Sequence, residues 1–145
     1  RGTTRPFEIF GAPFIDPDAL VNRLKEFNLP GVVFRPMYFQ PAFQKYAGTL
    51  CSGAQIHVTD RKKFKSFKTA VAIIKAVYDL YPDDFKWKEP PYEYETVKMP
   101  IDILSGSSRL RNDIEDGTDL EKMEEWWANE CHMFNKTVRK YFLMY

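Results

Sequence analysis

Apolar and polar residues alternate most strictly between Gly53 and Asp60, and this pattern predicts a β-strand with one buried face. The apolar face would carry Ala54, Ile56 and Val58. The polar face would carry Gln55, His57 and Thr59, which together offer an amide, an imidazole and a hydroxyl. Such a row could contact a ligand, although a polar strand face more often meets water or a covering loop.

A second strand is predicted from Val32 to Phe39. Pro36 within it argues for an edge strand or a bulge, because proline cannot donate a hydrogen bond to the ladder. The first 13 residues show no helical period but are too apolar for a free tail, so we expect an extended segment that packs on the domain. The predicted fold class is therefore α+β, with a small antiparallel or mixed sheet in the N-terminal half packed with several helices.

Helical spacing and capping residues predict five helices. The first begins at Asp16-Pro17, since aspartate caps a helix and proline suits its first position, and it ends near Leu29-Pro30-Gly31. The second runs from about Phe64 to Tyr81 and has the longest apolar stripe, so we expect it to be the main core helix. That stripe comprises Phe67, Val71, Ile74, Val77, Tyr78 and Tyr81.

The C-terminal half is predicted as an irregular connection, residues 82–98, followed by three helices. These are a short helix from Pro100 to Ser105 stopped by Gly106, a second capped by Ser107 or Ser108 that ends at Asp116-Gly117, and a long last helix. The last helix begins at the capping box Thr118 to Glu121 and is expected to reach about Lys140, before an apolar end at residues 141–145. Its core stripe would comprise Leu120, Met123, Trp127, Phe134 and Val138.

Composition narrows the class of protein. A chain of 145 residues suits one domain, residues 1–145, and its net charge of +1 comes from mixed charges without a basic stripe, which argues against nucleic acid as a partner. The apolar runs are too short to cross a bilayer, so membrane insertion is not expected. Two cysteines, an isolated His132 and no glycine-rich phosphate loop give no support for a metal or another cofactor, so none is predicted.

Polar residues near turns are the candidates for chemistry. In the N-terminal segment these are Thr3, Thr4, Arg5 and Glu8, although Arg5 and Glu8 could simply pair with each other. In the loop of residues 40–52 they are Lys45 and Tyr46, for which an exposed lysine beside a packed tyrosine is the plainer interpretation. The basic turn of Arg61, Lys62, Lys63 and Lys65 could bind an anion or only be solvated. Glu8, Asp60 and Asp102 are the carboxylates near element ends.

Three strings in this chain resemble the C-terminal half of the NamZ-type exo-β-N-acetylmuramidases, a family long catalogued as a domain of unknown function. They are Arg1-Gly-Thr-Thr-Arg-Pro-Phe-Glu8 followed by Gly11-Ala-Pro-Phe14, Lys45-Tyr-Ala-Gly48 with Cys51-Ser-Gly-Ala-Gln-Ile-His-Val-Thr-Asp60, and Ile101-Asp-Ile-Leu-Ser-Gly106 with Arg109-Leu-Arg111. Tyr81-Pro-Asp-Asp-Phe85 fits the same pattern. The resemblance covers essentially the whole chain. It departs at Ser52-Gly53, where the family often has two glycines.

This resemblance implies a glycoside hydrolase with a Rossmann-like N-terminal domain, absent from this chain, and an active-site cleft between the two domains. The implied reaction releases N-acetylmuramic acid from the non-reducing ends of peptidoglycan fragments, and the isolated chain is expected to be nearly inactive. The implied catalytic residues here are Glu8 and His57, and the implied substrate-binding residues are Thr4, Arg5, Lys45, Tyr46 and Gln55. Arg5 would read the lactyl carboxylate, with Lys45 as a second cation.

Two other functions remain alternatives at this point. The domain could be a non-catalytic module that binds cell-wall sugar or a partner protein through its aromatic residues, or a structural lid without sugar contact. The substrate places the protein in the periplasm or outside the cell, with a cytosolic recycling role as the alternative.

Overall fold

The computed structural model describes residues 2–138 and 141. These residues form two compact units, which are divided in the sequence between Lys86 and Trp87. The first unit contains β1 (Ile9–Ala12), α1 (Pro17–Glu26), β2 (Val32–Phe39), β3 (Cys51–Val58) and α2 (Ser66–Leu80). The second contains α3 (Pro100–Ser105), α4 (Arg109–Glu115) and the long α5 (Leu120–Val138). The fold class is α+β, as predicted. The expected end of the last helix near Lys140 and most of the apolar end lie outside the described residues.

The sheet has three antiparallel strands in the order β1-β3-β2, so β3 is central. The sequence pattern placed this strand two residues too late, and it missed β1 as a strand. β1 is only four residues long, with glycine at its third position, and therefore shows no period of two. β2 has the predicted bounds, and its edge position agrees with Pro36.

The prediction that β3 has one buried face and one polar face is wrong. Its residues are buried in the first part of the strand and become exposed toward its end, on both faces. All residues from Cys51 to Gln55 are buried, although they belong to both faces, whereas Val58 is 43% exposed. The first half of a central strand is covered from both sides, while its end emerges beyond that cover. Gln55, expected on a polar face, is only 4% exposed.

Two glycines face each other where β1 meets β3. Gly11 is the register partner of Gly53. A Cβ on Gly53 would lie 2.1 Å from the carbonyl oxygen of Phe10, and a Cβ on Gly11 would lie 2.2 Å from that of Ser52. Only glycine fits such close contact with backbone, so this pair lets β1 lie against the central strand. Ser52 is itself buried and donates a hydrogen bond to the carbonyl oxygen of Ile15.

α1 begins as the sequence predicts, and its start is fixed by two sets of hydrogen bonds. The Asp16 carboxylate accepts hydrogen bonds from the backbone N–H groups of Asp18 and Ala19 at 2.9 and 3.0 Å. The Tyr81 hydroxyl accepts from the Asp16 N–H at 2.8 Å and donates to the Asp16 carbonyl at 3.2 Å. Burial raises the pKa of Tyr81 above its usual value. Tyr81 thus fixes the start of α1 to the end of α2.

The buried face of α2 is only partly the predicted one, because, of the predicted stripe, Val71 and Val77 are buried. Its buried residues are Thr69, Val71, Ala72, Lys75, Ala76 and Val77, whereas Phe67 is 45% exposed. The prediction followed the largest apolar side chains, but small residues allow neighbouring elements to approach more closely and so occupy the packed face. Lys75 is buried on this face with its Nζ 3.4 Å from Asp79, and Asp79 also accepts a hydrogen bond from Arg23 of α1 at 2.9 Å.

The second unit follows the predicted order of helices. α3 has the predicted bounds, and Gly106 ends it in the left-handed region at a φ of 84°. α5 begins at Leu120, one residue later than a helix capped by Thr118 would begin. Its buried residues are Leu120 and Met123, while Phe134 is 55% exposed, so the predicted core stripe holds only for the first turns. Within the described ranges, no helix has the length and apolar character needed to cross a membrane.

We expect Gly53→Ala to destabilise the chain by about 1–3 kcal/mol, because the new methyl group would overlap backbone atoms of β1. Urea unfolding of the two proteins measures the difference in the free energy of unfolding. Gly48→Ala is the control, since its Cβ would meet nothing within 4 Å and only the backbone preference at φ 72° is tested. An equal loss in both variants would contradict the close-contact argument.

Asp79→Asn should lower the free energy of unfolding by about 1–3 kcal/mol, because it leaves the buried Lys75 ammonium without its carboxylate. Glu26→Gln is the matched control. Its carboxylate pairs with the same Arg23 but is 63% exposed, so its loss should cost less than about 1 kcal/mol. Equal stability of the two variants in urea would show that burial of Lys75 does not depend on Asp79.

Candidate functional site

Four polar side chains form a continuous line across the sheet of the first unit. An Arg35 Nη donates to Gln55 Oε1 at 2.7 Å, and Gln55 Nε2 donates to Glu8 Oε2 at 3.4 Å. The same Glu8 oxygen accepts from Arg5 Nη1 at 3.3 Å. Three of the four are predicted site residues, namely Arg5, Glu8 and Gln55. The structure therefore brings an amide and a carboxylate together between two guanidinium groups.

A tight turn before β1 places Glu8 in this line. Phe7 adopts a left-handed φ of 68°, and the backbone N–H groups of Glu8 and Ile9 both donate to the Arg5 carbonyl at 3.3 Å. The Glu8 carbonyl then accepts from the Ile56 N–H at 2.8 Å, which continues the pairing of β1 with β3 by one step. A non-glycine residue at positive φ costs free energy and is common at functional sites.

The contact between Arg5 and Glu8 is an exposed ion pair. The two side chains are 60% and 52% exposed, so the pairing adds little to stability. The structure confirms the simpler expectation that Arg5 and Glu8 pair with each other. Because the contact is single and solvated, the Arg5 guanidinium can reorient toward an anionic ligand at small cost.

His57 and Glu8 border a cavity of about 780 Å³ between the turn, the end of β3 and α2. Most of its lining is apolar, including Phe7, Ile56, Phe64 and Ile73, and Arg61 contributes a cation. Two polar atoms of the lining residues are buried, namely Nε2 of His57 and Oγ1 of Thr69. The described residues provide no hydrogen-bond partner for either atom. Buried polar atoms without partners are uncommon in folded proteins, and two of them lie at this cavity.

Lys45 and Tyr46 line a different cavity, of about 640 Å³. The Lys45 ammonium lies 4.9 Å from the centre of the Tyr46 ring, so the exposed lysine stacks on the half-buried tyrosine. Thr3 lines this cavity as well, while Thr4 is exposed and lines neither. Of the predicted substrate-binding residues, Lys45 and Tyr46 thus line this cavity, whereas Thr4, Arg5 and Gln55 line neither of the two cavities.

The other candidate carboxylates have structural partners. Asp60 accepts from the backbone N–H of Lys62 at 2.9 Å, so it closes the turn before α2. Asp102, in the second unit, accepts two hydrogen bonds from Arg111, both at 3.0 Å, and this pairing raises the pKa of the Arg111 guanidinium. Of the three carboxylates, Glu8 is therefore the one that borders a cavity with unpaired polar atoms.

Sequence reasoning missed Arg35 and Thr69. Arg35 is the register partner of Gln55, but this pairing is readable only once the strand register is known. Thr69 lies in a helix whose apolar stripe drew attention to larger neighbours. Within the part of the chain that the structure describes, no group of three histidine, cysteine or acidic side chains could hold a metal ion.

This arrangement is suited to binding and orienting a hydroxylated or anionic ligand. Glu8 can accept hydrogen bonds from hydroxyl groups, Arg5 can pair with a carboxylate, and His57 can accept or donate a proton. An apolar lining with a few convergent polar groups is also typical of small-ligand sites.

Comparison with known proteins places the chain in a family. The sequence profile described as "Exo-beta-N-acetylmuramidase NamZ, C-terminal" matches residues 1–145. The chain is 42% identical over 143 residues to the peptidoglycan beta-N-acetylmuramidase NamZ of Bacillus subtilis (strain 168), covering 99% of this chain and 33% of that protein. The fold is similar to the crystal structure of a DUF1343 family protein from Bacteroides fragilis NCTC 9343, with a TM-score of 0.78 and 26% identity. That match covers 99% of this chain and 37% of the crystallised one, so the chain spans about a third of each relative. The resemblance seen in the sequence is thereby confirmed, and the chain belongs to the family of C-terminal regions of NamZ-type exo-β-N-acetylmuramidases.

Proposed function

We propose that this chain acts as the C-terminal, substrate-contacting part of a glycoside hydrolase that releases N-acetylmuramic acid from the non-reducing ends of peptidoglycan fragments. The activity of the B. subtilis relative, which its name describes, supports the reaction class. The observation that carries the role of this chain is the Glu8 carboxylate, held by Arg5 and Gln55 at the border of a cavity that also contains His57. A Rossmann-like N-terminal domain would form the other wall of the active site.

In this proposal, Arg5 binds the lactyl carboxylate, which is the group that distinguishes N-acetylmuramic acid from N-acetylglucosamine. Its guanidinium is 60% exposed and makes a single 3.3 Å contact to Glu8 through Nη1, so its other N–H groups can face a ligand. A guanidinium can grip a carboxylate through two parallel hydrogen bonds, which gives direction as well as attraction. Lys45, the second cation named from the sequence, lines the other cavity, so it would contact a different part of the substrate.

Glu8 and His57 orient sugar hydroxyls and assist proton transfer. Glu8 supplies carboxylate oxygens at the cavity border, and the buried Nε2 of His57 lacks a partner within the described residues. The principal catalytic acid would come from the N-terminal domain, and for that reason the isolated chain should turn over very little substrate. Tyr46, Thr4 and Gln55 complete the proposed contacts, Tyr46 through its ring and Gln55 through its hold on Glu8.

Peptidoglycan fragments are the proposed partner, and no nucleic acid is expected to bind. Because this polymer lies outside the cytoplasmic membrane, we place the enzyme in the periplasm or outside the cell. The alternative, a module that only binds cell-wall sugar, makes a different prediction for the same variants.

Hydrolysis of a chromogenic N-acetylmuramic acid β-glycoside tests the proposal. The chain joined to a NamZ-type N-terminal domain should release the chromophore, and the isolated chain should release almost none. Arg5→Ala in the joined protein should lower kcat/KM for this substrate about 10- to 100-fold, as expected for a lost charge-assisted hydrogen bond. Any residual hydrolysis of the N-acetylglucosamine glycoside should be unchanged, because that sugar has no lactyl carboxylate.

Lys62→Ala is the control for Arg5→Ala, since it removes an exposed cation of the same unit, whereas Arg5 is the cation that contacts Glu8. Unchanged discrimination between the two sugars in Arg5→Ala would refute the role of Arg5.

Glu8→Gln and His57→Gln should reduce kcat, with the exposed Glu89→Gln as the matched control for Glu8. If these variants weaken binding only, the chain is a binding module, and wild-type rates in both would indicate a lid without sugar contact.

A further inference from the structure

We propose that Arg35 is a positioning residue, which fixes the Gln55 amide and, through it, the Glu8 carboxylate. Its hydrogen bond to Gln55 is the shortest of the line, at 2.7 Å. Arg35 lies on the edge strand β2, directly across the sheet from Gln55 on β3, and Gln55 is in turn across from Ile9, which follows Glu8. The effect of Arg35 on turnover rests on the proposed function, whereas its effect on Gln55 does not.

The chemistry of the three groups determines which way the amide points. A glutamine side chain can donate through nitrogen or accept through oxygen, and it can turn over to exchange the two. An arginine only donates, so Arg35 requires the oxygen of Gln55 on its side. The amide nitrogen must then point the other way, where Glu8 Oε2 accepts from it at 3.4 Å. Arg35 thereby makes Gln55 a donor toward Glu8.

Because it is buried, the Gln55 amide must keep this orientation. Gln55 is 4% exposed, so water cannot readily replace a lost partner. A buried amide oxygen left without a donor carries a desolvation penalty, and the side chain would turn or shift to avoid it. The carboxylate of Glu8, which is 52% exposed, is the group that would lose its fixed donor.

The orientation also distinguishes the two oxygens of Glu8. Arg5 and Gln55 both donate to Oε2. Among the described residues these are the donors to the Glu8 carboxylate, so Oε1 is the oxygen left to accept from a ligand hydroxyl. If a ligand draws Arg5 away, Gln55 alone holds Glu8 in place. Arg35 would then determine whether that remaining hydrogen bond persists.

Nuclear magnetic resonance of this chain tests the first step without any activity. In Arg35→Ala, hydrogen exchange of the Gln55 side-chain amide should be at least about tenfold faster than in the unsubstituted chain, because the amide has lost its fixed orientation. Arg35→Lys should restore slow exchange, since a single N–H donor is enough for the single contact. Val33→Ala is the control, because it shortens an exposed side chain on the same face of β2. Exchange in Arg35→Ala equal to that in the unsubstituted chain would overturn the proposal, as would equally fast exchange in Arg35→Lys.

A double-mutant cycle in the joined two-domain protein tests the second step. Arg35→Ala should lower kcat/KM about tenfold when Glu8 is present and less than about twofold in the Glu8→Gln background, because its effect passes through Glu8. An equal loss in both backgrounds would mean that Arg35 acts elsewhere, which would overturn the proposed route. Failure of the proposed function would instead appear as no hydrolysis by the unsubstituted joined protein, and the exchange measurement would still decide the role of Arg35.

Discussion

The close approach of β1 to the central strand is the constraint on which the candidate site depends. It exists because Gly11 faces Gly53, where any larger residue would collide with backbone atoms. The pairing sets the register of Ile9 against Gln55, and one step earlier it brings the carbonyl of Glu8 to the N–H of Ile56. The position of the carboxylate is thus a consequence of backbone geometry several residues away. Ser52, next to this pair, is buried and directs its hydroxyl to the carbonyl of Ile15.

The charged and the neutral side chains of the site differ in how deeply they are buried. The outer partners, Arg5 and Arg35, remain in contact with water, while the amide between them is buried. The exposed ion pair of Arg5 and Glu8 contributes little to stability, so its value is positional rather than energetic. The buried Gln55 is different, since an amide removed from water must keep both of its partners. Gln55 is therefore held in one orientation, whereas the Arg5 guanidinium remains available to a ligand.

The sequence predicted the elements better than their faces. Local signals sufficed for α1, α3 and β2, because capping residues, Gly106 and the position of Pro36 act within a few residues. β1 and the packed face of α2 depend on partners distant in the sequence, which periodicity cannot supply. The same limit applies to the site. Glu8 and His57 were singled out by their positions in the sequence pattern, were given roles by the family strings, and do border one cavity. Arg35 becomes visible only through strand register, and Lys45 with Tyr46 lines a second cavity.

Pro36 has a further effect on the outer edge of the sheet. An edge strand presents a row of free N–H and C=O groups, which another extended chain can use to add itself to the sheet. A proline in the middle of β2 interrupts that row, because it has no N–H to offer. Strand addition along this edge, for example by a second copy of the protein, is therefore disfavoured. This feature should reduce aggregation of the protein through the open edge of its sheet.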